Sequence, residues 1–223
     1  MTLTTPRLNR LPAAERGITI GDFLVPVTLG ERLSTRARHA GLVFAGALFI
    51  YLSSLVVLPV PGSPVPITGQ TLGVLLVGGA LGFRRGMLAT LLYVAIGIVG
   101  FPAFAEHKGG VGVIASVDAG RLVLGVTGGY LIGFILASGI VGRLAELGWD
   151  RHIGGSIAAM LIADASIYAV GLPWLMAATG FTPAETIAKG LLPFVVGDIV
   201  KVLIAAGVFP VAWWIVGRRP GER

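Results

Sequence analysis

The chain has 223 residues, of which 55% are hydrophobic and 13% are charged, against ~25% charged in a typical soluble domain. This composition excludes a soluble globular protein and predicts an all-α integral membrane protein, a bundle of six short transmembrane helices. The net charge is +6, but the basic residues are dispersed among apolar stretches, so a nucleic-acid-binding surface is not expected. The absence of cysteine and the three scattered histidines argue against a metal centre.

Residues 1–38 are rich in arginine and contain no apolar run long enough to cross a bilayer. We interpret them as a cytoplasmic tail that contacts lipid head groups through Arg32, Arg36 and Arg38. The membrane domain is expected over residues 39–217, and residues 218–223 are expected to form a short cytoplasmic C-terminal tail.

The first span is predicted over residues 40–58. Ala37, Gly41 and Ala45 recur at four-residue intervals and therefore place small side chains along one face of this helix. Such a ridge lets another helix approach closely, and we interpret it as a partner interface. The alternative is a chance pattern in an alanine-rich span.

The second span is predicted to begin within residues 65–71, after a proline-rich loop, and to end near Gly82. Thr68 and Gln70 place hydrogen-bonding side chains beside the start of this helix, where free backbone N–H groups also point outward. Both are candidate ligand contacts, and ordinary helix capping is the alternative role for Thr68.

A basic turn at Arg84 and Arg85 leads into a third span over residues 86–99, with Tyr93 inside it. Residues 105–120 then form a glycine-rich stretch that carries a few charges. That composition is typical of a mobile loop, which could close over a binding site.

Arg121 stands at the predicted entry to the fourth span, which ends near Glu146. At this position its guanidinium would either snorkel to the membrane surface or meet an anionic ligand. Tyr130 follows three closely spaced glycines, which predicts close backbone approach beside a polar ring edge.

The fifth span is predicted over residues 153–170 and contains Asp164 and Tyr168 on adjacent turns. An ionisable group inside the membrane indicates a functional site, although Asp164 could instead be protonated or hydrogen-bonded to a neighbouring helix. Residues 171–175 are predicted to break the helix and to place Trp174 near the outer membrane interface.

A short helix is predicted to start at Thr182, with Pro183 at its first position and Glu185 completing a capping box. Pro193 is expected to kink this helix into the sixth span.

The sixth span carries an acid and a base, Asp198 and Lys201, in an otherwise apolar run of residues 190–217. Three-residue spacing puts both on one helix face, with Phe194 continuing the same stripe. Because a charge near mid-membrane costs at least ~2.5 kcal/mol, the two are expected to pair and to face the bundle interior. The pair is either a structural lock or part of a ligand site.

The distribution of basic residues indicates the orientation of the bundle. With both termini in the cytoplasm, 13 of the 17 lysines and arginines lie inside, three lie outside, and Lys201 is buried. The positive-inside rule therefore favours six spans with both termini cytoplasmic. The candidate site residues then converge in the outer half of the membrane.

No phosphate-binding loop, nucleophile elbow or His-Glu-x-x-His pair occurs in the sequence, so an enzyme is not predicted. What remains is an outward pocket with an acid, a base, an amide and aromatic walls. Such a set suits a neutral, urea-like or amide-like head group attached to an acid.

Four segments resemble the BioY family, in the family's order: VPITGQT at 65–71, TGGYLIGF at 127–134, GLPWL at 171–175, and Gly197-Asp198 followed by Lys201. That family is the biotin-binding S-component of energy-coupling-factor (ECF) vitamin transporters. The resemblance implies a six-helix protein of the bacterial inner membrane that binds biotin near its extracytoplasmic surface. It also implies a partner module of one transmembrane coupling protein and two ATPases, although some members are thought to import biotin without it.

By motif, Asp198 and Lys201 would meet the polar end of biotin. Two departures from the family pattern are Val126, where the family usually has a proline before the TGGY motif, and the long arginine-rich start. No cofactor is implied beyond the ligand, and a homo-oligomer stays open. The full set of predicted ligand contacts is Asp198, Lys201, Gln70, Thr68, Tyr130, Trp174, Asp164, Arg121, Phe194 and Tyr93.

Three alternatives to biotin transport stay open at this point. One is an intramembrane enzyme that uses Asp164 and Asp198 as a carboxylate pair, which the nearby Lys201 disfavours by stabilising the charged form of Asp198. Another is a transporter for a different small vitamin. The third is a purely structural membrane subunit.

Overall fold

The computed structural model describes residues 18–24 and 34–216, and most of them are helical. Single 3₁₀ turns cover Ala105–His107, Val111–Val113 and Trp149–Arg151. In chain order the helices and strands are α1 Gly21–Leu24, α2 Thr35–Ser54, β1 Val57–Leu58, β2 Ile67–Thr68, α3 Gln70–Ile98, β3 Ala115–Asp118, β4 Arg121–Leu124, α4 Gly128–Glu146, α5 Ile153–Thr179, α6 Pro183–Gly190 and α7 Val195–Val216.

Within the described residues, the helices α3, α4, α5 and α7 are long and apolar enough to cross a membrane. Their mean hydropathy rises from 1.4 in α3 to 2.2 in α7. The prediction of a helical membrane protein is therefore confirmed in a coarser form, because the described residues are mostly helical and include four candidate spans. The predicted tail positions at residues 1–17, 25–33 and 218–223 lie outside the described residues.

The helix α3 is interrupted at Gly82, where φ is 81° and ψ is 179°. A methyl group on Gly86 would lie 2.7 Å from the Cα of Gly78, whereas eight residues of continuous helix would separate them by ~12 Å. The chain therefore reverses at Gly82, and α3 is a helical hairpin. The reversal predicted between the second and third spans is present, two residues before the basic pair Arg84 and Arg85.

The hairpin turn of α3 and the end of α4 lie at the same end of the bundle, because Glu146 accepts a hydrogen bond from the backbone N–H of Phe83 at 2.9 Å. We call this end, with the 3₁₀ turn Trp149–Arg151, the turn end. The opposite end, where α3, α4 and α7 begin, we call the cavity end.

Two boundaries around the first spans differ from the prediction. The helix α2 begins at Thr35, capped by Ser34, and ends at Ser54 rather than at residue 58. Val57–Leu58 instead pairs antiparallel with Ile67–Thr68. The connection between the two strands is rich in proline and cannot continue the helix. The strand pairing instead satisfies the backbone hydrogen-bonding groups on either side of it.

The predicted helix break at residues 171–175 is wrong, because α5 continues through Pro173 to Thr179. Pro173 has no backbone N–H to donate within the helix, and contacts with other parts of the protein support the helix at this point. Gly171 lets the ring of Tyr130 pack directly against the helix, and the indole N–H of Trp174 donates to the carbonyl of Gly125 at 2.8 Å.

The glycine-rich segment has more regular structure than predicted. Strands β3 and β4 form an antiparallel hairpin with Asp118 opposite Arg121. The two turn residues, Ala119 and Gly120, have φ of 48° and 77°, as two-residue hairpin turns of the primed type require. Arg121 is therefore a strand residue, and α4, the helix of the predicted fourth span, begins at Gly128 rather than at Arg121.

The predicted capping box of the short helix α6 is confirmed. Thr182 Oγ1 accepts from the backbone N–H of Glu185, and Glu185 Oε2 accepts from the backbone N–H of Thr182 at 2.9 Å. The chain turns between α6 and α7 around Pro193, so the two helices are separate elements at the cavity end.

A buried carboxyl group, Asp150, lies in the 3₁₀ turn at the turn end. It is 2% exposed, and its Oδ2 accepts a hydrogen bond from the indole of Trp213 at 2.7 Å. Burial raises the pKa of Asp150 to about 6, although the Trp213 hydrogen bond and the charge of Arg151 act in the opposite direction.

We predict that Asp150 makes the protein more stable at mildly acidic pH. Because its folded pKa of about 6 exceeds the ordinary value of 3.8, the folded state binds the proton more tightly. Stability should therefore rise as the pH falls from 6 to 4, by up to about 3 kcal/mol. Thermal unfolding of the detergent-solubilised protein across this range measures the effect. Asp150→Asn keeps an acceptor for Trp213 and should flatten the rise, whereas equal pH dependence in both proteins would contradict the assignment.

Candidate functional site

A cavity of about 400 Å³ lies at the cavity end of the bundle, within the range of pockets for small-molecule ligands, roughly 300–1,000 Å³. Three helices begin beside it, and their first turns supply Gln70, Tyr130 and Asp198. The glycine-rich segment covers it through residues such as Lys108 and Val113. The polar and charged residues of the lining are Thr68, Gln70, Thr71, Glu106, Lys108, Thr127, Tyr130, Asp164, Tyr168, Asp198 and Lys201.

The predicted ion pair of the last span is present and faces this cavity. Lys201 Nζ lies 3.0 Å from Asp198 Oδ1, and the hydroxyl of Tyr168 donates to the other carboxylate oxygen of Asp198. Asp198 is 6% exposed, so both of its oxygens are satisfied by the protein. The ammonium of Lys201 has three N–H donors and uses one of them on Asp198, so it can also donate into the cavity.

Asp164 is the carboxylate in this group that has no partner among the described residues. It lies one helical turn before Tyr168 and is 8% exposed. Its Oδ1 is buried and accepts no hydrogen bond from any described residue. Buried polar atoms are nearly always paired, so this oxygen marks where a ligand donor would bind.

A chain of hydrogen bonds fixes the amide of Gln70 at the cavity wall. The hydroxyl of Thr68 donates to Gln70 Oε1 at 3.0 Å, and Gln70 Nε2 donates to the hydroxyl of Tyr93. Tyr93 in turn donates to the carbonyl of Ala103 at 2.8 Å. Thr68 and Gln70 therefore line the cavity, whereas Tyr93 supports Gln70 from behind.

Aromatic rings form another wall of the cavity. The ring of Tyr130 lies perpendicular to that of Tyr168, with centroids 6.3 Å apart. Its hydroxyl donates to the carbonyl of Gly190 at 3.0 Å, so Tyr130 offers a ligand mainly its ring. Phe194 is also in the lining and is 7% exposed.

Three predicted ligand contacts, Tyr93, Trp174 and Arg121, do not reach the cavity. Trp174 packs behind Gly128 and Gly129, and its hydrogen bond to Gly125 supports a wall that does line the cavity. Arg121 is exposed on β4. Its strand carries it away from the helix entry where the sequence placed it.

The sequence reasoning missed Tyr168 as a site residue, although its four-residue spacing from Asp164 puts both on one face of α5. It also missed Glu106 and Lys108, which form an ion pair at 2.6 Å and line the cavity from the covering segment. The only signal for these two was that they are charges in a glycine-rich stretch.

The cavity is equipped to bind a ligand that carries both donors and an acceptor. Asp164 can accept hydrogen bonds, and Lys201 can donate one nearby. Within the part of the chain that the structure describes, no three His, Cys, Asp or Glu residues come together as a metal site would require.

The chain is similar to known proteins over most of its length. Residues 28–218 match the model of the BioY family. The "Biotin transporter BioY" of Rhizobium etli is 34% identical over 78% of this chain and 91% of that protein. The "Probable biotin transporter BioY" of Pyrococcus horikoshii is 37% identical over 76% of this chain and 93% of its own length.

A solved structure supports the fold. The crystal structure of an S-component for biotin from an ECF-type ABC transporter matches with a TM-score of 0.69 at 22% sequence identity. The match covers 80% of this chain and 93% of that one.

Proposed function

The chain belongs to the BioY family, and we propose that it binds biotin in the cavity at the cavity end and mediates biotin uptake across the bacterial inner membrane. The observation that carries the ligand assignment is the unpartnered carboxylate oxygen of Asp164. It lies in the same cavity as the Asp198–Lys201 pair.

The head group of biotin complements this arrangement. Its ureido ring has two N–H donors and one carbonyl acceptor. Asp164 would accept from an N–H group, and Lys201 would donate to the carbonyl while keeping its bond to Asp198. The aliphatic and ring carbons of biotin would pack against apolar lining residues such as Phe134 and Ile167.

An enzymatic role does not fit the site or the family. The relatives are transporters. In a catalytic carboxylate pair both acids act on the substrate, but Lys201 and Tyr168 occupy both oxygens of Asp198. The Asp164 and Asp198 pair is therefore a binding element.

We propose the orientation that the basic residues favour, with six spans, both termini in the cytoplasm, and the membrane domain over residues 39–217. The hairpin α3 supplies two of the six, one on each side of Gly82. The cavity end then faces outward, as an importer requires, and the turn end faces the cytoplasm.

We also propose that an ECF coupling protein with two ATPases energises uptake, and that it docks on the ridge of Ala37, Gly41 and Ala45. All three residues are exposed on α2. Apart from Gly41, its two neighbours and the surrounding backbone of α2, no described atom lies within 4 Å of the position that a Cβ on Gly41 would occupy. This face of α2 is therefore open to a partner helix.

We predict that Asp164→Asn weakens biotin binding by at least about tenfold. The substitution breaks no described hydrogen bond, but it replaces an acceptor oxygen with an N–H donor, and a lost hydrogen bond that leaves a buried donor unpaired costs about 1–3 kcal/mol. Radiolabelled biotin binding to the purified protein measures the loss, with thermal stability recorded in parallel. Lys189→Met, outside the cavity, should bind normally. Wild-type affinity in Asp164→Asn, or displacement of biotin by excess thiamine or riboflavin, would contradict the assignment.

The orientation can be tested with single cysteines, because the chain has none of its own. Cysteines at Asp118 and Ala184, both exposed at the cavity end, should react in intact cells with a membrane-impermeant thiol reagent. Those at His39 and Arg84 should react only after the cells are opened. The reverse pattern would place the binding cavity on the cytoplasmic side.

Docking on the ridge predicts a separation between binding and transport. Gly41→Trp should leave biotin affinity unchanged, because α2 contributes no residue to the described cavity lining, but should abolish co-purification with the coupling protein and uptake against a gradient. Leu203→Trp is the matched control, because Leu203 is 57% exposed on α7. Normal co-purification and uptake by Gly41→Trp would place the docking surface elsewhere.

A further inference from the structure

The segment Thr19–Phe23 packs tightly against the turn end of the bundle. Thr19 is 1% exposed and Ile20 is 6% exposed. Gly21 lies directly against the backbone of Ala80 and Leu81 in the hairpin α3, and the ring of Phe23 meets that of Trp213 edge-on, with centroids 6.0 Å apart. This segment precedes residues 28–218, the part of the chain that matches the family.

Asp22 joins two long elements through its carboxylate. Its Oδ1 lies 2.8 Å from a guanidinium nitrogen of Arg85 in α3 and 3.3 Å from one of Arg38 in α2. Its Oδ2 accepts from the backbone N–H of Thr19 at 2.9 Å. Arg85 also donates to the hydroxyl of Thr19 at 2.9 Å, so the segment is bonded to α3 at two points.

The ionised form of Asp22 is the one that this network stabilises. Partial burial would raise its pKa, but the hydrogen bonds from Arg85 and Thr19 and the charge of Arg85 outweigh burial and hold the pKa below its ordinary value. Asp22 is therefore charged at neutral pH and pairs with two cations.

Arg38 is the link from this network to α2. From Thr35 to Gly41 every residue of α2 is exposed except Arg38, which is half-buried. The first buried residue of the helix is Leu42. The first two turns of α2 therefore lack a packed face, and the Arg38–Asp22 pair is the described polar contact that holds them to the bundle.

We infer that Thr19–Phe23 form an inner clamp, in which Asp22 fixes the first two turns of α2 against the hairpin turn of α3 through Arg38 and Arg85. Those two turns carry Ala37 and Gly41 of the ridge. Asp22 is thus a positioning residue for the docking of the coupling protein, and this consequence rests on the proposed function.

The clamp can be measured without any ligand or partner. Spin labels on cysteines at His39 and Arg84, both exposed, report the distance between the start of α2 and the hairpin turn. The distance distribution should be narrow in the wild-type background. Asp22→Asn and Arg38→Gln should each broaden it at least about twofold, because a neutral amide pairs only weakly with the remaining charge.

Matched variants distinguish the clamp from a general loss of charge or fold. Arg36→Gln removes the same charge two residues away, where the side chain is exposed, and should leave the distribution narrow. Asp22→Glu keeps the carboxylate, and its distance distribution should be nearly as narrow as that of the wild type. Broadening in Arg36→Gln equal to that in Arg38→Gln, or no broadening in either Asp22→Asn or Arg38→Gln, would overturn the clamp.

The functional consequence is tested with the same variants and a separate readout. Arg38→Gln should weaken co-purification with the coupling protein at least about fivefold, while its biotin affinity stays within twofold of wild type. A broadened distance distribution together with unchanged co-purification would overturn the positioning role of Asp22. Failure of the wild-type protein to bind biotin would instead overturn the proposed function, and the distance measurement would still decide whether the clamp exists.

Discussion

The ion pair between Asp198 and Lys201 constrains the rest of the binding site. An unpaired charge is costly in an apolar bundle. Asp198 and Lys201 therefore pair with each other, one helical turn apart in α7. The hydroxyl of Tyr168 in α5 donates a hydrogen bond to the second oxygen of Asp198. This bond links the position of α7 to that of α5. Because these groups satisfy Asp198 and not Asp164, the Oδ1 atom of Asp164 has no donor among the described residues. Under the proposed function, a ligand would supply that donor.

Close helix packing brings these groups to one place. Gly133 of α4 lies directly against the backbone of Ile167 in α5, and this approach sets Tyr130 against Tyr168. Any side chain at position 133 would force the two helices apart. The glycine therefore serves the site indirectly, by setting the distance between two walls of the cavity.

Local geometry explains which parts of the site could be predicted from the sequence. The pairing of Asp198 with Lys201 and the capping box at Thr182 depend on helical spacing alone, and both were predicted correctly. The continuation of α5 through Pro173 depends on contacts made by Gly171 and Trp174 with other helices. The β3–β4 hairpin and the position of Arg121 likewise depend on chain pairing that the glycine-rich composition obscured. The contacts of Asp22 could not be predicted from local spacing, because its partners Arg38 and Arg85 are 16 and 63 residues away.

The division of the molecule into two ends bears on how uptake is energised. The sequence holds no phosphate-binding loop, and under the proposed function energy from ATP would arrive through a partner. The described cavity lining uses residues of α3, α4, α5 and α7 but none of α2, which leaves α2 available for docking without disturbing the ligand. The ridge residues of α2 face outward, and the polar attachment of α2 through Arg38 is at the turn end. A partner on α2 would therefore act on the bundle from the side and from the turn end. The ligand at the cavity end would respond through the packed helices between them.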